Sequence, residues 1–340
     1  MATLKDTTIS DTGFLTLPSG NTSQRPVSSS NGMIRYNNES LNIEVYANNS
    51  WTPISTEAIV EVFGTVELLA VAGGGAGGGS YDSVGGAGGA GGLLYSANLA
   101  INNATTYTIT IGAGGTGSYA AVGTNGSNTV ALNCTAIGGG RGAGGSRSSY
   151  TSTGASGGCG GGGGGFPSNG AGGSALQTNS GGATGYGFAG AANAGGGGGA
   201  GEAGDTDAQY YGGDGRYYSQ FAHAGSPAGW FAGGGTIYSI GTDVNAAGQG
   251  GGGSRGTQYY GSYGYESDGT DGGTNTGGGG GGSYDANNNA QRKGGNGGSG
   301  IVIIRYSDTI AAATTTGSPT YTVSGGYRMY TFTGSGSIRW

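Results

Sequence analysis

The chain has little of what usually builds a globular core or a catalytic centre. Charged residues make up 9% of its 340 positions, Pro occurs 6 times, Cys twice and His once; an ordinary domain is roughly a quarter charged. Two cysteines, Cys134 and Cys159, allow one disulfide at most, which excludes a stapled framework and makes free buried thiols the plainer reading. No run of about 20 apolar residues exists, so no membrane insertion is expected. The opening MATLKDTT has no apolar segment behind a basic start, and no secretory signal is expected.

The 12 basic residues face 18 acidic ones for a net charge of −6, and they are scattered singly apart from Arg292-Lys293. A duplex-binding surface needs clustered cations, so nucleic acid is not an expected partner. Around the one histidine, His223, spacing builds no Ser/His/Asp arrangement, and a loop histidine is expected. Asp205-Thr206-Asp207 and Glu266-Ser267-Asp268-Gly269-Thr270-Asp271 have oxygen-ligand spacing, but neither completes a calcium loop. No phosphate loop ending in Gly-Lys-Ser or Gly-Lys-Thr occurs. Gly-x-Gly-x-x-Gly matches say nothing in a chain this rich in Gly, because a dinucleotide fold also needs the helix that follows. No catalytic set, metal or cofactor is expected, and the chain reads as something other than an enzyme.

What the chain has is glycine, at 88 positions, against the ordinary proportion of about 7%. Collagen is excluded because Gly does not recur at every third position and Pro is scarce. A helical bundle is excluded because each interior Gly costs about 1 kcal/mol against Ala. Composition separates three segments: 1–58 with little Gly, 59–306 with most of it, and 307–340, rich in Thr, Tyr and Ser.

In the first segment, Met33 to Tyr46 alternates apolar and polar residues around an Asn-Asn-Glu-Ser turn, which predicts a hairpin with Leu41, Ile43 and Val45 on one face. Trp51 and Ile54 could add a third short strand or a plug under the hairpin. So small a piece needs a partner, either copies of itself or another protein. In the second segment, Val66 to Ala72, Tyr107 to Ile111, Thr129 to Ile137 and Ile301 to Tyr306 read as strands, the last apolar on both faces and therefore central. Tyr321 to Val323 and Tyr327 to Phe332 flank Gly325-Gly326 as a closing hairpin.

Five Gly tracts, at 73–79, 157–165, 195–199, 250–253 and 277–282, lie between strand-like runs. A flexible linker would need only one of them. The ordered alternative is a bundle of polyglycine-II helices, extended, with three residues per turn and no internal hydrogen bonds. Ordering each residue costs about 1–2 kcal/mol of backbone entropy, so lateral hydrogen bonding must be nearly complete. The expected fold class is therefore all-β with polyglycine-II helices: an N-terminal hairpin module for oligomerisation or attachment, a β-sandwich-like glycine-rich domain, and no substantial α-helix.

Of 22 Tyr, nine lie between residues 201 and 271 among Gly, Ser, Asn, Asp and Gln. Binding loops use this mixture, because Tyr offers rigid contact area and a hydroxyl at low entropic cost; such rings also stack on sugars and other flat apolar surfaces. The alternative is that they fold back over the bundle and shield it. The expected contact residues are Tyr210, Tyr211, Tyr217, Tyr218, Phe221, Trp230, Tyr259, Tyr260, Tyr263 and Tyr265.

Val66-Glu67-Leu68-Leu69-Ala70-Val71-Ala72-Gly73-Gly74-Gly75, Tyr107 to Gly115 and Gly297 to Tyr306 resemble the opening, internal and closing strands of glycine-rich domains in bacteriophage tail fibres and adhesins. The stretch LTLPSGNTSQRPVSSSNGMIRYN is similar to segments near the start of phage fibre proteins. The resemblance implies a virion protein, a homotrimer joined to other virion proteins through its N-terminal segment, that binds a host-surface receptor, glycan or outer-membrane protein. The chain is short for a fibre and lacks heptads or a repeated shaft, so a head fibre or capsid decoration is the alternative. An ice-binding protein is a remoter one, because irregular Tyr and Asp loops do not form a flat array of small residues.

Overall fold

Residues 17–54, 62–237, 246–255, 267–285 and 290–340 are described by the structure, a computed structural model. The chain divides into two compact units, Met1–Glu61 and Val62–Trp340. The boundary expected at residue 58 lies outside the described residues, and 307–340 belongs to the second unit. Among the described residues there is no α-helix, only single 3-10 turns at Thr22–Gln24 and Ser219–Phe221.

The first unit is a sheet of β1 (Ser19–Gly20), β2 (Ile34–Asn37), β3 (Asn42–Ala47) and β4 (Ser50–Pro53), in that order. The expected hairpin is β2–β3, and Trp51 lies on the third strand of the meander, edge-on to Tyr46 with ring centroids 5.4 Å apart. Leu41 departs from expectation: it sits in the turn at φ 55 and is 70% exposed. The cause is Asn37, whose Oδ1 accepts the Glu39 and Ser40 amides at 2.9 and 3.3 Å. That local turn ends the strand before Leu41 can join it.

The covered face of this sheet is polar. Glu44, buried, accepts from Arg25 at 2.6 Å and from Asn37 Nδ2 at 3.2 Å, with Arg35 Nη1 at 3.5 Å. The Arg25 hydrogen bond, with help from Asn37, holds the Glu44 carboxyl below the usual glutamate range against its burial.

The second unit is organised by two largely apolar strands. β5 (Val62–Val71) and Ile301–Ser307 are the middle pair of a six-stranded sheet. Its order is Thr184–Tyr186, Leu93–Asn102, β5, Ile301–Ser307, Tyr327–Phe332 and Thr320–Ser324. Both faces of the middle pair are buried, as a central strand requires. Leu68, Ala70, Val302 and Ile304 pack with Tyr107, Ile109, Ala136 and Ile338 from smaller sheets, which makes the sandwich. Leu69, Val71, Ile301 and Ile303 pack with Ala90, Cys159, Phe221 and Phe231 on the other face. The closing hairpin forms as expected, with Gly325 and Gly326 at φ 60 and 83, the left-handed pair that a two-residue turn requires.

Thr129 to Ile137 is not one strand. It is a tight hairpin of Thr129–Ala131 and Cys134–Ala136, with Leu132 and Asn133 in its turn at φ 50 and 61. Asn tolerates that conformation, and the apolar run hides the turn because both arms point into the same core.

The glycine tracts form a laterally bonded lattice. Along 73–80 the amides of Gly73, Ala76 and Gly79 donate to Ser127, Thr124 and Ala121; those of Gly74, Gly77 and Ser80 donate to Gly298, Gly295 and Arg292; those of Gly75 and Gly78 donate to Gly89 and Gly86. Every third residue faces the same neighbour, the signature of a three-residue turn. The carbonyls of Gly73, Ala76 and Gly79 accept from Gly139, Gly142 and Gly145, those of Gly75 and Gly78 from Gly280 and Ser283, and that of Gly74 from Gly115. One tract is thus bonded to six neighbours. The tract at 157–165 repeats the rule, with Cys159, Gly162 and Gly165 donating to Ala90, Ala87 and Val84. A Cβ on Gly78 would collide with the Ala143 carbonyl, which is why these positions exclude side chains.

Candidate functional site

Where a tract stops, the first side chains appear, and several tracts stop together. Val84 precedes the segment 85–92, Phe166 follows 157–165, Asn193 and Ala194 precede 195–199, and Tyr210 closes the loop after that tract. Ile237, Arg255 and Tyr284 follow the glycines at 233–235, 250–253 and 277–282. These residues, with Asn169 and Gln209, line one cleft of about 690 Å³, inside the roughly 300–1,000 Å³ range of small-molecule sites.

The floor is apolar. Val84, Ala87, Ala194 and Ile237 form a small core of their own, with Tyr210 and Tyr284 packed against it. Hydrogen bonds hold the walls: Val84 N–H donates to the Phe166 carbonyl at 3.1 Å, the Thr236 hydroxyl donates to the Tyr210 carbonyl at 2.5 Å, and Asn193 N–H donates to the Gly170 carbonyl at 2.9 Å. Tyr284 pairs with Val84 across a short antiparallel bridge and exchanges two 3.1 Å bonds with Ser267. Tyr150 donates its hydroxyl to the Val84 carbonyl beneath the floor, and burial pushes its phenol well above the usual range. The Arg255 guanidinium lies 5.2 Å from the Tyr284 ring centre. Asn169, Asn193 and Gln209 are exposed, and Phe166 is 42% exposed.

The expected contact residues separate into groups. Tyr210 lines the cleft. Tyr211 is half-buried, its carbonyl accepting the Asp205 amide at 2.9 Å. Tyr217 and Trp230 oppose each other on a two-stranded ribbon with rings 5.5 Å apart, a second aromatic surface, and Tyr217 is exposed. Tyr218 and Phe221 are corrections: both are buried under the six-stranded sheet, Tyr218 with its ring 4.7 Å from Tyr95, and neither has a face to offer a partner. The apolar underside of the sheet captured them because a glycine bundle cannot fill it. Tyr259, Tyr260, Tyr263 and Tyr265 lie outside the described residues.

Reading the sequence missed Phe166, Asn169, Asn193, Gln209, Arg255 and Tyr284. The signal that could have found most of them is position, since they flank glycine runs rather than lying in a Tyr-rich segment.

The carboxylates of the neighbouring loop are internal. Asp205 Oδ1 accepts the Gly196 amide at 3.0 Å, Asp214 Oδ1 accepts the Gln249 amide at 2.6 Å, and Glu202 Oε1 accepts the Asp214 amide at 3.2 Å. Burial raises all three above the ordinary carboxyl range. Glu202, Asp207 and Asp214 each bring a carboxylate oxygen within 4.8 Å of the others. His223 is exposed, its Nε2 2.9 Å from Thr331 Oγ1. Cys134 and Cys159 are both free and buried, and burial pushes the Cys159 thiol up to about 12.

An all-β scaffold with side-chain-bearing loops at the ends of its laterally bonded glycine tracts defines the class of this molecule. Residues 52–307 match the family model described as glycine-rich domain, and the chain belongs to that family. No curated protein matches it.

Proposed function

We propose that this chain is a non-enzymatic bacteriophage virion protein, a tail fibre or tip adhesin, that recognises a receptor on the host surface. The observation that carries the reading is the cleft at the tract ends, where Phe166, Tyr210 and Tyr284 meet exposed amides over an apolar floor. Recognition by loops works best when the loops are held by something that does not move. Here the holder is a bundle whose amides are bonded sideways to neighbouring tracts. The likeness of the strand motifs to phage fibre domains supports the virion setting. The first unit, with Ile34 45% exposed on the face opposite Glu44, supplies attachment to other virion proteins or to copies of the chain in a homotrimer.

Adsorption to host cells tests the reading. The purified protein should bind cells and compete with virions, and Tyr210→Ala combined with Tyr217→Ala should remove most of that binding while the melting temperature holds. A protein that leaves adsorption untouched, and that labelled-virion imaging finds on the capsid lattice, would be a head fibre or decoration.

A further inference from the structure

The cleft says more about its ligand than that it is a receptor. We infer that it takes a hexopyranose ring of a surface glycan, an inference that rests on the recognition reading above. A pyranose presents an apolar C–H face on one side and hydroxyls around its edge. A matching site needs an aromatic or aliphatic surface for the face, and side chains that both donate and accept for the edge.

The cleft has that division. Val84, Ala194 and Ile237 with the rings of Tyr210 and Tyr284 form the apolar part. Asn169, Asn193 and Gln209 line the same space, and each amide offers two donors and an acceptor in a fixed plane, the geometry that pairs with neighbouring hydroxyls. Among the described residues that line the cleft, none is a carboxylate. A protein epitope is the poorer fit, because the site is a cleft of about 690 Å³, the size of a small-molecule site, rather than a broad flat patch.

The full-length protein is tested on immobilised bacterial surface polysaccharides and lipopolysaccharides, with free glucose, galactose and mannose as competitors. Binding to at least one polysaccharide is expected, displaced by one free hexose. Asn169→Ala and Gln209→Ala should each weaken it roughly three- to tenfold, and Phe166→Ala, which removes a wall, roughly tenfold. All three positions are exposed, so an unchanged melting temperature separates lost contact from lost fold. Competition by the free hexose shows that the ring itself is recognised; retention on only one of the two polymers identifies its source. Glycan binding that none of the three substitutions alters would overturn the cleft assignment. Cells that still bind the protein after periodate destruction of their surface sugars would overturn the sugar and leave receptor recognition standing. No binding to cells at all would overturn both.

Discussion

The two units of this chain solve the same problem with opposite materials. The first unit is small and is held by side chains: Arg25, Arg35 and Asn37 converge on one buried carboxylate, Glu44, and Trp51 packs beside them. The second is held by backbone. Its glycine tracts touch through amides and carbonyls, and most of their positions have no room for a Cβ. The difference teaches where each is vulnerable. A side-chain network fails when one charge is removed, and a backbone lattice fails when one atom is added.

The largest effect should come from adding that atom. Gly78→Ala places a methyl against the Ala143 carbonyl between bonded tracts. Neither backbone can retreat without breaking its other bonds, so a loss of about 4 kcal/mol or more is expected, read as a collapsed melting transition of the second unit. Retained stability would show that the tracts can part locally and that the lattice is not rigid.

Removing a charge should come next, and in the first unit. Glu44→Ala leaves Arg35 buried without its carboxylate, and breaking such a pair costs about 3 kcal/mol. Hydrogen exchange should show residues 17–54 opening while the second unit's amides stay protected.

Acidification should sharpen the contrast with a smaller effect. The Glu44 carboxyl lies below its ordinary value, so its contribution is complete above that value and is lost as pH falls through the lowered one. Glu202, Asp205 and Asp214 are raised by burial. Their penalty is complete above the raised values and is relieved as pH falls through the window down to the ordinary one. Below the carboxyl range the first unit should therefore weaken while the loop at 200–214 gains protection. A common direction of change would show that one of the two carboxylate environments is not as described.

The smallest effect is the control. Gly334→Ala, where a Cβ would meet nothing within 4 Å, should change stability by less than about 0.5 kcal/mol.

Much of the scaffold was legible in the sequence. Ile301 to Tyr306 is apolar at successive positions, and only a strand buried on both faces accepts that pattern. Gly325-Gly326 between two alternating runs demands a left-handed turn. The turn at Leu132-Asn133 was not legible, because its apolar neighbours continue the strand pattern through it. In the site, Tyr210 was legible as an aromatic in a polar, Gly-rich loop, but Tyr218 and Phe221 carry the same local signature and lie in the core.

By itself, then, the sequence determined that there would be a sheet covered on both faces, glycine segments that must be bonded sideways, and aromatic loops between them. Only the tertiary structure decided which segments are neighbours, and so that Val84, Phe166, Tyr210 and Tyr284 share one cleft. The physical reason lies in glycine. Side chains carry the information that pairs one strand with another, whereas a bare tract offers the same N–H and C=O at every residue. Its partners are chosen by where the rest of the chain delivers it.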